Sequence, residues 1–284
     1  SNLLELKNHA AENGVLKFNK EFHFASGMQN KMMYKDEIES FMRTPSCRGI
    51  HLLGIQDYSG QGEALIGFLD SFYDEKGFWS SEEVLGCFSS MVSLAEFEKY
   101  GWKNSEILEV DLLVRNMQNT YDSLIVVFDW KNSAGKSLLK GETEVFSSNV
   151  GDLTKVGKIE LDLGNLHNEK ITLFTTVVDK SGKEISKPNS WSFWVFDEVC
   201  QPKLSNNVVI TNNFDEALDA LNLGQKVILD ASELGKDGKF LKGDWGAVYW
   251  STTWFPGQSM QTLGLWLDKK QSIFEKFACE GYGD

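Results

Sequence analysis

The sequence predicts a multidomain protein of α and β structure: an α/β region, then an antiparallel β-sandwich, then a small α/β unit. Apolar residues recur at helical spacing in the first region, whereas short β-branched and aromatic runs follow one another up to about residue 200. After a polar break, the pattern becomes strand, helix and strand. The predicted domains are therefore residues 1–95, 96–200 and 201–284.

Helices open the first region. Apolar residues within 3–10 lie at helical spacing, and Gly14 is a suitable helix stop. The same spacing continues over 18–32 and predicts one or two further helices that run towards Arg43. Pro45 then breaks the pattern, because a proline cannot continue a helix.

A polar, glycine-rich turn follows and separates two apolar runs. The first run predicts a strand over about 50–57, which ends in the turn "QDYSGQG" of residues 56–62. The second run, 64–69, predicts a helix over roughly 62–71. A strand that ends in such a turn before a helix is how α/β proteins build sites, and it is also how they build ordinary loops.

Asp57 is the strongest candidate for chemistry in this turn. It lies at the carboxyl end of the predicted strand, where a (β/α)8 barrel places its site residues. The polar and acidic side chains near it are Gln56, Tyr58, Gln61, Glu63 and Asp70. Two interpretations stay open: Asp57 acts with a second carboxylate in a glycosidase-like hydrolytic site, or it caps the next helix and hydrogen-bonds the turn.

The sequence pattern of the second region predicts an antiparallel β-sandwich. Its short strands are separated by turn clusters such as 132–135 and 180–183, with no helical pattern between them. In the run 191–196, "WSFWVF", alternation places apolar side chains on both faces of one strand. That strand is therefore expected to be covered on each side.

The third region begins after a polar break at 202–206, and its pattern predicts a strand, a helix and a second strand. Asn212 or Asn213 is the candidate N-cap of the helix, and Gly224 is its stop. The last forty residues are rich in tryptophan, namely Trp245, Trp250, Trp254 and Trp266.

Charge and hydropathy exclude some classes of partner. The chain has 41 acidic and 28 basic residues, a net charge of −13, which argues against nucleic acid and against anionic membrane surfaces. No apolar run approaches the ~18 residues of a membrane span. We therefore predict neither a nucleic-acid partner nor membrane insertion.

No sequence motif calls for a cofactor or a metal. The glycines of 60–64 are too closely spaced for a phosphate-binding or dinucleotide-binding loop, and the "GKS" of 135–137 is expected to be a hairpin turn. The four histidines and four cysteines are dispersed, so nothing local supplies a set of metal ligands. The cysteines are expected to be free thiols, with a single disulfide or a reactive cysteine as the alternatives. They are Cys47, Cys87, Cys200 and Cys279.

Several motifs occur in an order and spacing that resemble a known family. They are Ala25-Ser26-Gly27, Tyr34-Lys35-Asp36-Glu37-Ile38-Glu39, Arg43-Thr44-Pro45 and the turn from Gln56 to Gly62. Together they resemble the end of the catalytic barrel in bacterial glycoside hydrolases related to family 2, relatives of β-galactosidases and β-glucuronidases common in gut Bacteroidetes. The "NSWSFWVF" and "QTLGLWLD" stretches also look like the accessory regions of such enzymes, so the resemblance extends over essentially the whole chain.

The resemblance implies a C-terminal remnant of a (β/α)8 barrel, with residues 50–57 as its eighth strand. Both catalytic glutamates would then lie upstream of Ser1, so we assign no catalytic residue here. Substrate binding would fall to the turn, with Gln56 and Asp57 hydrogen-bonding sugar hydroxyls and Tyr58 and Gln61 beside them. The implied partner is an oligo- or polysaccharide, the truncated barrel edge could self-associate, and the location would be periplasmic or secreted.

Two alternatives to this hydrolase fragment stay open. The chain could be a non-catalytic carbohydrate-binding or scaffold module that uses exposed aromatic residues, such as Trp250 or Trp254, to stack on sugar faces. The other interpretation of these two tryptophans, which we favour, is that they pack between domains. It could also be an independent enzyme that uses Asp57 and a carboxylate such as Glu63. That enzyme would need a closed catalytic domain within 95 residues, whereas a barrel typically needs roughly 250.

Overall fold

The chain divides into two compact units. The computed structural model describes residues 2–58, 66–198, 207–231, 264–275 and 277–282. One unit comprises Ser1–Glu198 and Leu263–Asp284, and the other comprises Val199–Thr262. The described residues are mainly β with some helices, and their strands form three sheets, none of which closes into a barrel. The domain boundaries near residues 95 and 200 stay predictions.

Helices open the first unit, as the apolar spacing predicted. They are α1 (Asn2–Glu12), a short 3-10 turn (Leu16–Phe18), α2 (Asn19–Arg43) and α3 (Ser81–Cys87). The last of these was not predicted from the sequence. It begins with a capping box, in which the Ser80 hydroxyl accepts the Glu83 N–H and the Glu83 carboxylate accepts the Ser80 N–H.

Two packed sheets follow, built from nine strands. These are β1 (Met91–Glu96), β2 (Gly101–Lys103), β3 (Ile107–Asn116), β4 (Tyr121–Asn132), β5 (Ser137–Glu142), β6 (Phe146–Ser148), β7 (Leu153–Asp162), β8 (Glu169–Asp179) and β9 (Asn189–Phe196). The first sheet has the order β1-β3-β7, and the second has the order β2-β9-β8-β4-β5, with β6 beside β4. All pairs are antiparallel except β2 with β9.

The core of this sandwich lies between the two sheets. Leu108 and Leu112 of the first sheet share one buried cluster with Trp130, Leu173 and Phe193 of the second. Alternation along β9 buries one set of side chains in this cluster and leaves Trp194 and Phe196 half-buried on the other face. The strand is therefore covered on both sides, as its sequence predicted.

Helix α2 packs on the outer face of the first sheet. Ile38 and Met42 join Val92, Leu94 and Leu113 in a second apolar cluster. This packing explains the pattern of β1, whose first five residues are all buried although a half-buried strand usually alternates.

A buried arginine of β3 anchors the end of α2. Arg115 is fully buried, and its guanidinium donates to the carbonyls of Met42 at 2.8 Å, Thr44 at 2.7 Å and Gly151 at 3.0 Å. The last carbonyls of a helix have no partner within the helix, and the bond from Arg115 satisfies that of Met42. The Thr44 and Gly151 carbonyls also accept from the Cys47 N–H and from Arg48.

Residues 264–282 belong to the first unit and contact both of its parts. The Trp266 ring lies 5.0 Å from that of Phe18, beside α2, and Phe277 stacks on Phe196 of β9 at 5.0 Å. An ion pair between Lys170 and Glu280 adds a second contact to the sheet.

The described part of the second unit is a small β-α-β element. Its parallel strands β10 (Val208–Thr211) and β11 (Lys226–Leu229) flank α4 (Phe214–Asn222). Asn213 caps the helix by accepting the N–H groups of Asp215 and Glu216, and Gly224 has a φ of +73° just past its end. Both helix limits agree with the sequence prediction.

Two local predictions in the first region were wrong. Residues 50–55 form no strand, and residues 66–71 form no helix. The predicted strand is reduced to one parallel bridge between Gln56 and Leu69. A strand persists only where neighbouring strands take its backbone hydrogen bonds, and among the described residues no strand lies beside 50–55.

Candidate functional site

The turn around Asp57 is held by backbone pairing to a later segment. The Asp57 N–H donates to the Leu69 carbonyl at 2.9 Å, and the Leu69 N–H donates to the Ile55 carbonyl at 3.1 Å. These two bonds place residues 55–57 beside 67–69. The two segments that make up the described part of the site are therefore held side by side.

The Asp57 side chain is buried and has charged and polar partners. One of its oxygens, Oδ1, accepts the Gly67 N–H at 2.8 Å and the Lys76 Nζ at 2.9 Å. Lys76 also donates to the Gly67 carbonyl at 3.1 Å. The side chains of the ion pair are only 8% and 14% exposed, so solvent screens this pair less than a surface pair. We call Asp57, Gly67 and Lys76 the Asp57 clamp.

Gly67 is the residue that permits this close approach. A Cβ at position 67 would lie 2.3 Å from the carbonyl carbon of Gln56 and 2.5 Å from the Asp57 nitrogen. Both atoms belong to the backbone, so no side-chain movement could relieve the clash. Any residue larger than glycine would push the two segments apart.

Tyr34 of α2 contacts the segment that is paired with Asp57. Its hydroxyl donates to the Ile66 carbonyl at 3.0 Å, and its ring packs 4.8 Å from that of Phe68. Burial raises the pKa of the Tyr34 phenol, and the negative charges of Glu37 and Asp57 raise that pKa further. The phenol therefore stays protonated and remains a hydrogen-bond donor.

The structure describes three of the four predicted site residues, which are consecutive in the chain. Gln56 is half-buried, Asp57 is buried in its clamp, and Tyr58 is 63% exposed. Gln61 lies outside the described residues, as does Glu63. The substrate-binding role of all four stays a prediction.

Asp70 has a local structural role. Its Oδ1 accepts the N–H groups of Phe72 at 2.8 Å and Asp74 at 2.9 Å, which closes a tight turn. A carboxylate held in this way shapes its own loop.

Sequence reasoning missed Gly67 and Lys76, which complete the clamp. Lys76 lies 19 positions after Asp57, outside every predicted helix and strand, and Gly67 was assigned to the interior of a predicted helix. No signal in the sequence pointed to their pairing.

Large apolar side chains lie exposed on the segments that flank the turn. They are Leu53, Ile55, Ile66, Phe72 and Tyr73. Exposed apolar residues are common when single, and it is a contiguous apolar patch that is typical of a surface covered by another chain segment.

The described residues include no group of three or more His, Cys, Asp or Glu side chains that could hold a metal ion. Across the same residues, no helix has both the length and the apolar character needed to cross a bilayer.

Three of the cysteines are free thiols, which confirms that expectation for Cys47, Cys87 and Cys279. The fourth, Cys200, lies outside the described residues. Burial raises the pKa of the Cys87 thiol to about 11, and the nearby Lys35 ammonium offsets only part of this effect. Cys87 is therefore an inert, buried thiol at neutral pH.

Comparison with known proteins gives one family and a set of partial structural likenesses. A family described as "Domain of unknown function (DUF8487)" matches residues 209–284. No curated protein matches the chain.

Among solved structures, a putative β-galactosidase from Bacteroides fragilis aligns with a TM-score of 0.27 and 8% identity, over 42% of this chain and 20% of that one. A β-glucuronidase from Bacteroides uniformis aligns with a TM-score of 0.27 and 11% identity, over 36% of this chain and 12% of that one. A CARDB domain from Pyrococcus furiosus aligns with a TM-score of 0.30 and 12% identity, over 38% of this chain and 94% of that one. This chain thus spans a fifth or less of the two glycosidases.

Proposed function

We propose that this chain is the C-terminal part of a glycoside hydrolase related to family 2, acting on a β-linked carbohydrate. In this proposal its catalytic glutamates lie outside the chain, and the turn after residue 55 forms one wall of a sugar subsite. The motif series that ends in "QDYSGQG" suggests the family. A periplasmic or secreted location is part of the same proposal.

The Asp57 clamp is the observation that carries the subsite. A ligand-binding group must be held in one geometry before the ligand arrives, because ordering it afterwards costs binding free energy. The clamp holds Asp57, the residue between Gln56 and Tyr58, through Gly67 and Lys76. In this proposal Asp57 positions the turn, and Gln56 and Tyr58 contact the sugar.

The exposed apolar side chains near the turn support the barrel remnant. A complete barrel would supply neighbouring strands to residues 50–57, which form no strand in this chain, and would cover Leu53 and Ile55. In this chain both side chains are exposed. The proposal therefore includes an upstream barrel that packs on this surface, and self-association through it when that barrel is missing.

The test is hydrolysis of a panel of 4-nitrophenyl β-glycosides by two proteins. One is the 284-residue chain, and the other is the same chain extended at its N-terminus by the barrel that the proposal requires. We expect turnover only by the longer protein. Turnover by the shorter chain alone would overturn the proposal, because a complete catalytic pair would then lie within it.

Variants of the longer protein test the wall. Gln56→Ala removes one hydrogen bond to the substrate and should lower kcat/KM by about 2- to 12-fold. Asp70→Asn is the matched control, because Asp70 closes a neighbouring turn without belonging to the proposed wall. Equal effects of both variants would remove Gln56 from the subsite. If neither protein hydrolyses any glycoside but both bind sugar, the non-catalytic carbohydrate-binding module is the better assignment.

A further inference from the structure

A cleft lies where residues 264–266 pass the first two turns of α2. Its volume is about 610 Å³, within the usual range for small-molecule sites. Its lining includes Asn19, Phe22, His23, Ser26 and Trp266. None of these residues belongs to the Asp57 clamp or to its turn.

One wall of the cleft is aromatic and held in place. The Trp266 ring packs 5.0 Å from the Phe18 ring, and the Phe22 ring meets it edge-on at 6.2 Å. A bridge to Tyr282 fixes the backbone of Trp266. The indole is thus ordered before any ligand binds, which lowers the entropic cost of stacking on it.

The other wall presents polar groups from one face of a helix. Asn19, His23 and Ser26 are spaced four and three positions apart, so their side chains lie one above another along α2. Within the part of the chain that the structure describes, the side chains of Asn19 and His23 have no hydrogen-bond partner. The Ser26 hydroxyl donates to the His23 carbonyl at 3.1 Å, which leaves its oxygen able to accept.

The cleft contains no charged side chain of Asp, Glu, Lys or Arg among the described residues that line it. In a chain of which 24% of residues are charged, such a lining restricts the ligand, because an ionic ligand would lose water there without gaining a counter-charge. An aromatic wall opposite an amide, an imidazole and a hydroxyl suits a neutral ring with one apolar face and several hydroxyl groups.

We propose that this cleft binds a neutral saccharide unit, with its apolar C–H face on Trp266 and its hydroxyls on Asn19 and His23. The site goes beyond the proposed hydrolase function, because it uses other residues and needs no catalytic group. Binding here and hydrolysis can therefore fail independently of each other.

Fluorine NMR of the full chain tests the proposal. The tryptophans are replaced by 5-fluorotryptophan, and Trp266→Phe identifies the resonance of Trp266. The probes are methyl β-D-glucopyranoside, methyl β-D-galactopyranoside and cellobiose, and methyl β-D-glucuronide is the charged control. We expect at least one neutral probe to shift the Trp266 resonance saturably with a Kd of about 1–10 mM, and the glucuronide to bind more weakly.

Variants separate binding in the cleft from general stacking. Asn19→Ala and His23→Ala should each raise the Kd by about 2- to 12-fold, which is the loss of affinity expected for one hydrogen bond. Both side chains are exposed, so these changes should leave the fold intact. Lys20→Ala, on the same helix turn and outside the cleft lining, should leave the Kd unchanged.

Three results would overturn the proposal. They are no shift of the Trp266 resonance with any neutral probe, an unchanged Kd in both polar variants, and equal affinity for the glucuronide. The first result would show that no saccharide binds in the cleft. The second would show that Asn19 and His23 do not contact the ligand, and the third would show that the cleft does not prefer a neutral ligand.

Discussion

Trp191 of β9 donates its indole N–H to the buried carboxylate of Glu39 of α2, at 2.8 Å. The other carboxylate oxygen accepts the side-chain amide of Asn189 at 2.9 Å, and Lys35 forms an ion pair with it. Arg43 lies 3.5 Å from the oxygen that Trp191 occupies. The interface between α2 and the sandwich thus contains a buried charge whose hydrogen-bonding capacity is filled, which is the condition under which such a charge is tolerated.

Glu39→Ala should strongly destabilise the first unit. The substitution removes the acceptor of the buried Trp191 indole. Lys35 and Asn189 each lose one of two acceptors, because Lys35 also donates to Asn189 and Asn189 also donates to the Ser93 carbonyl. Breaking a buried pair costs about 3–5 kcal/mol. Urea denaturation followed by tryptophan fluorescence measures the free energy of unfolding. Glu37→Gln is the control, because Glu37 is exposed on the same helix and should change that free energy by less than about 0.5 kcal/mol. A loss of the same small size for Glu39→Ala would contradict the assigned role of the network.

Lys76→Met should test the Asp57 clamp directly. Methionine keeps much of the lysine stem but removes the ammonium, so the buried Asp57 carboxylate loses its counter-charge. We expect a loss of about 1–3 kcal/mol in the free energy of unfolding, measured by urea denaturation. Lys187→Met, away from the clamp, is the control. The contrary result is that the variant and the parent unfold at the same urea concentration, with about 0.5 M salt changing their free energies of unfolding equally. That result would mean that the ion pair contributes nothing to stability.

The elements that the sequence predicted well are those whose pattern is local. The helix from Asn19 to Arg43, the alternation of β9 and the capped helix α4 each depend on neighbours within a few residues. The strand over 50–57 was wrong, because an apolar run becomes a strand only if other strands pair with it.

The candidate site was predictable only in part for a related reason. The polar turn at Gln56 and Asp57 is visible in the sequence, but the partner of Asp57 is not. Lys76 reads as one more exposed lysine until the backbone brings 67–69 beside 55–57. Glu39 was hidden in the same way, because a glutamate within a charged helix reads as a solvated side chain, whereas this one is 2% exposed.

Gly27→Ala should destabilise the protein although alanine favours helices. Alanine gains about 1 kcal/mol over glycine in a helix interior, but the new Cβ would lie 2.2 Å from the ring of Phe78. The ring must shift, and overpacking of this kind typically costs about 1–3 kcal/mol. A double-mutant cycle with Phe78→Leu measures the coupling. Because the smaller side chain relieves the clash, Gly27→Ala should be neutral or stabilising in that background, and an equal loss in both backgrounds would contradict the assigned contact.

Stability should fall between about pH 9 and pH 11 because of Cys87. Burial raises the pKa of its thiol to about 11, from an ordinary value of 9.0. The unfolded chain therefore releases this proton at lower pH than the folded chain, and the free energy of unfolding decreases across that window by about 2 kcal/mol. Urea denaturation at several pH values in parent and Cys87→Ala gives the two slopes. The variant should show the shallower decrease, and identical slopes would mean that the thiol does not contribute.

Gly264→Ala should release the segment that carries Trp266. Gly264 has a φ of +95°, which L residues rarely adopt, and a Cβ there would lie 2.8 Å from the Ala25 carbonyl oxygen. Gly14→Ala is the matched control, since Gly14 also has a positive φ, +70°, but no described heavy atom lies within 4 Å of where its Cβ would be. The control should lose about 1 kcal/mol from backbone strain alone, whereas Gly264→Ala should lose about 1–3 kcal/mol more from the clash with α2. The Trp266 fluorine resonance should move in Gly264→Ala and stay in Gly14→Ala, because only the first change lifts the indole from Phe18. Equal losses in the two variants, with an unmoved resonance, would mean that the contact between Gly264 and Ala25 does not hold the cleft together.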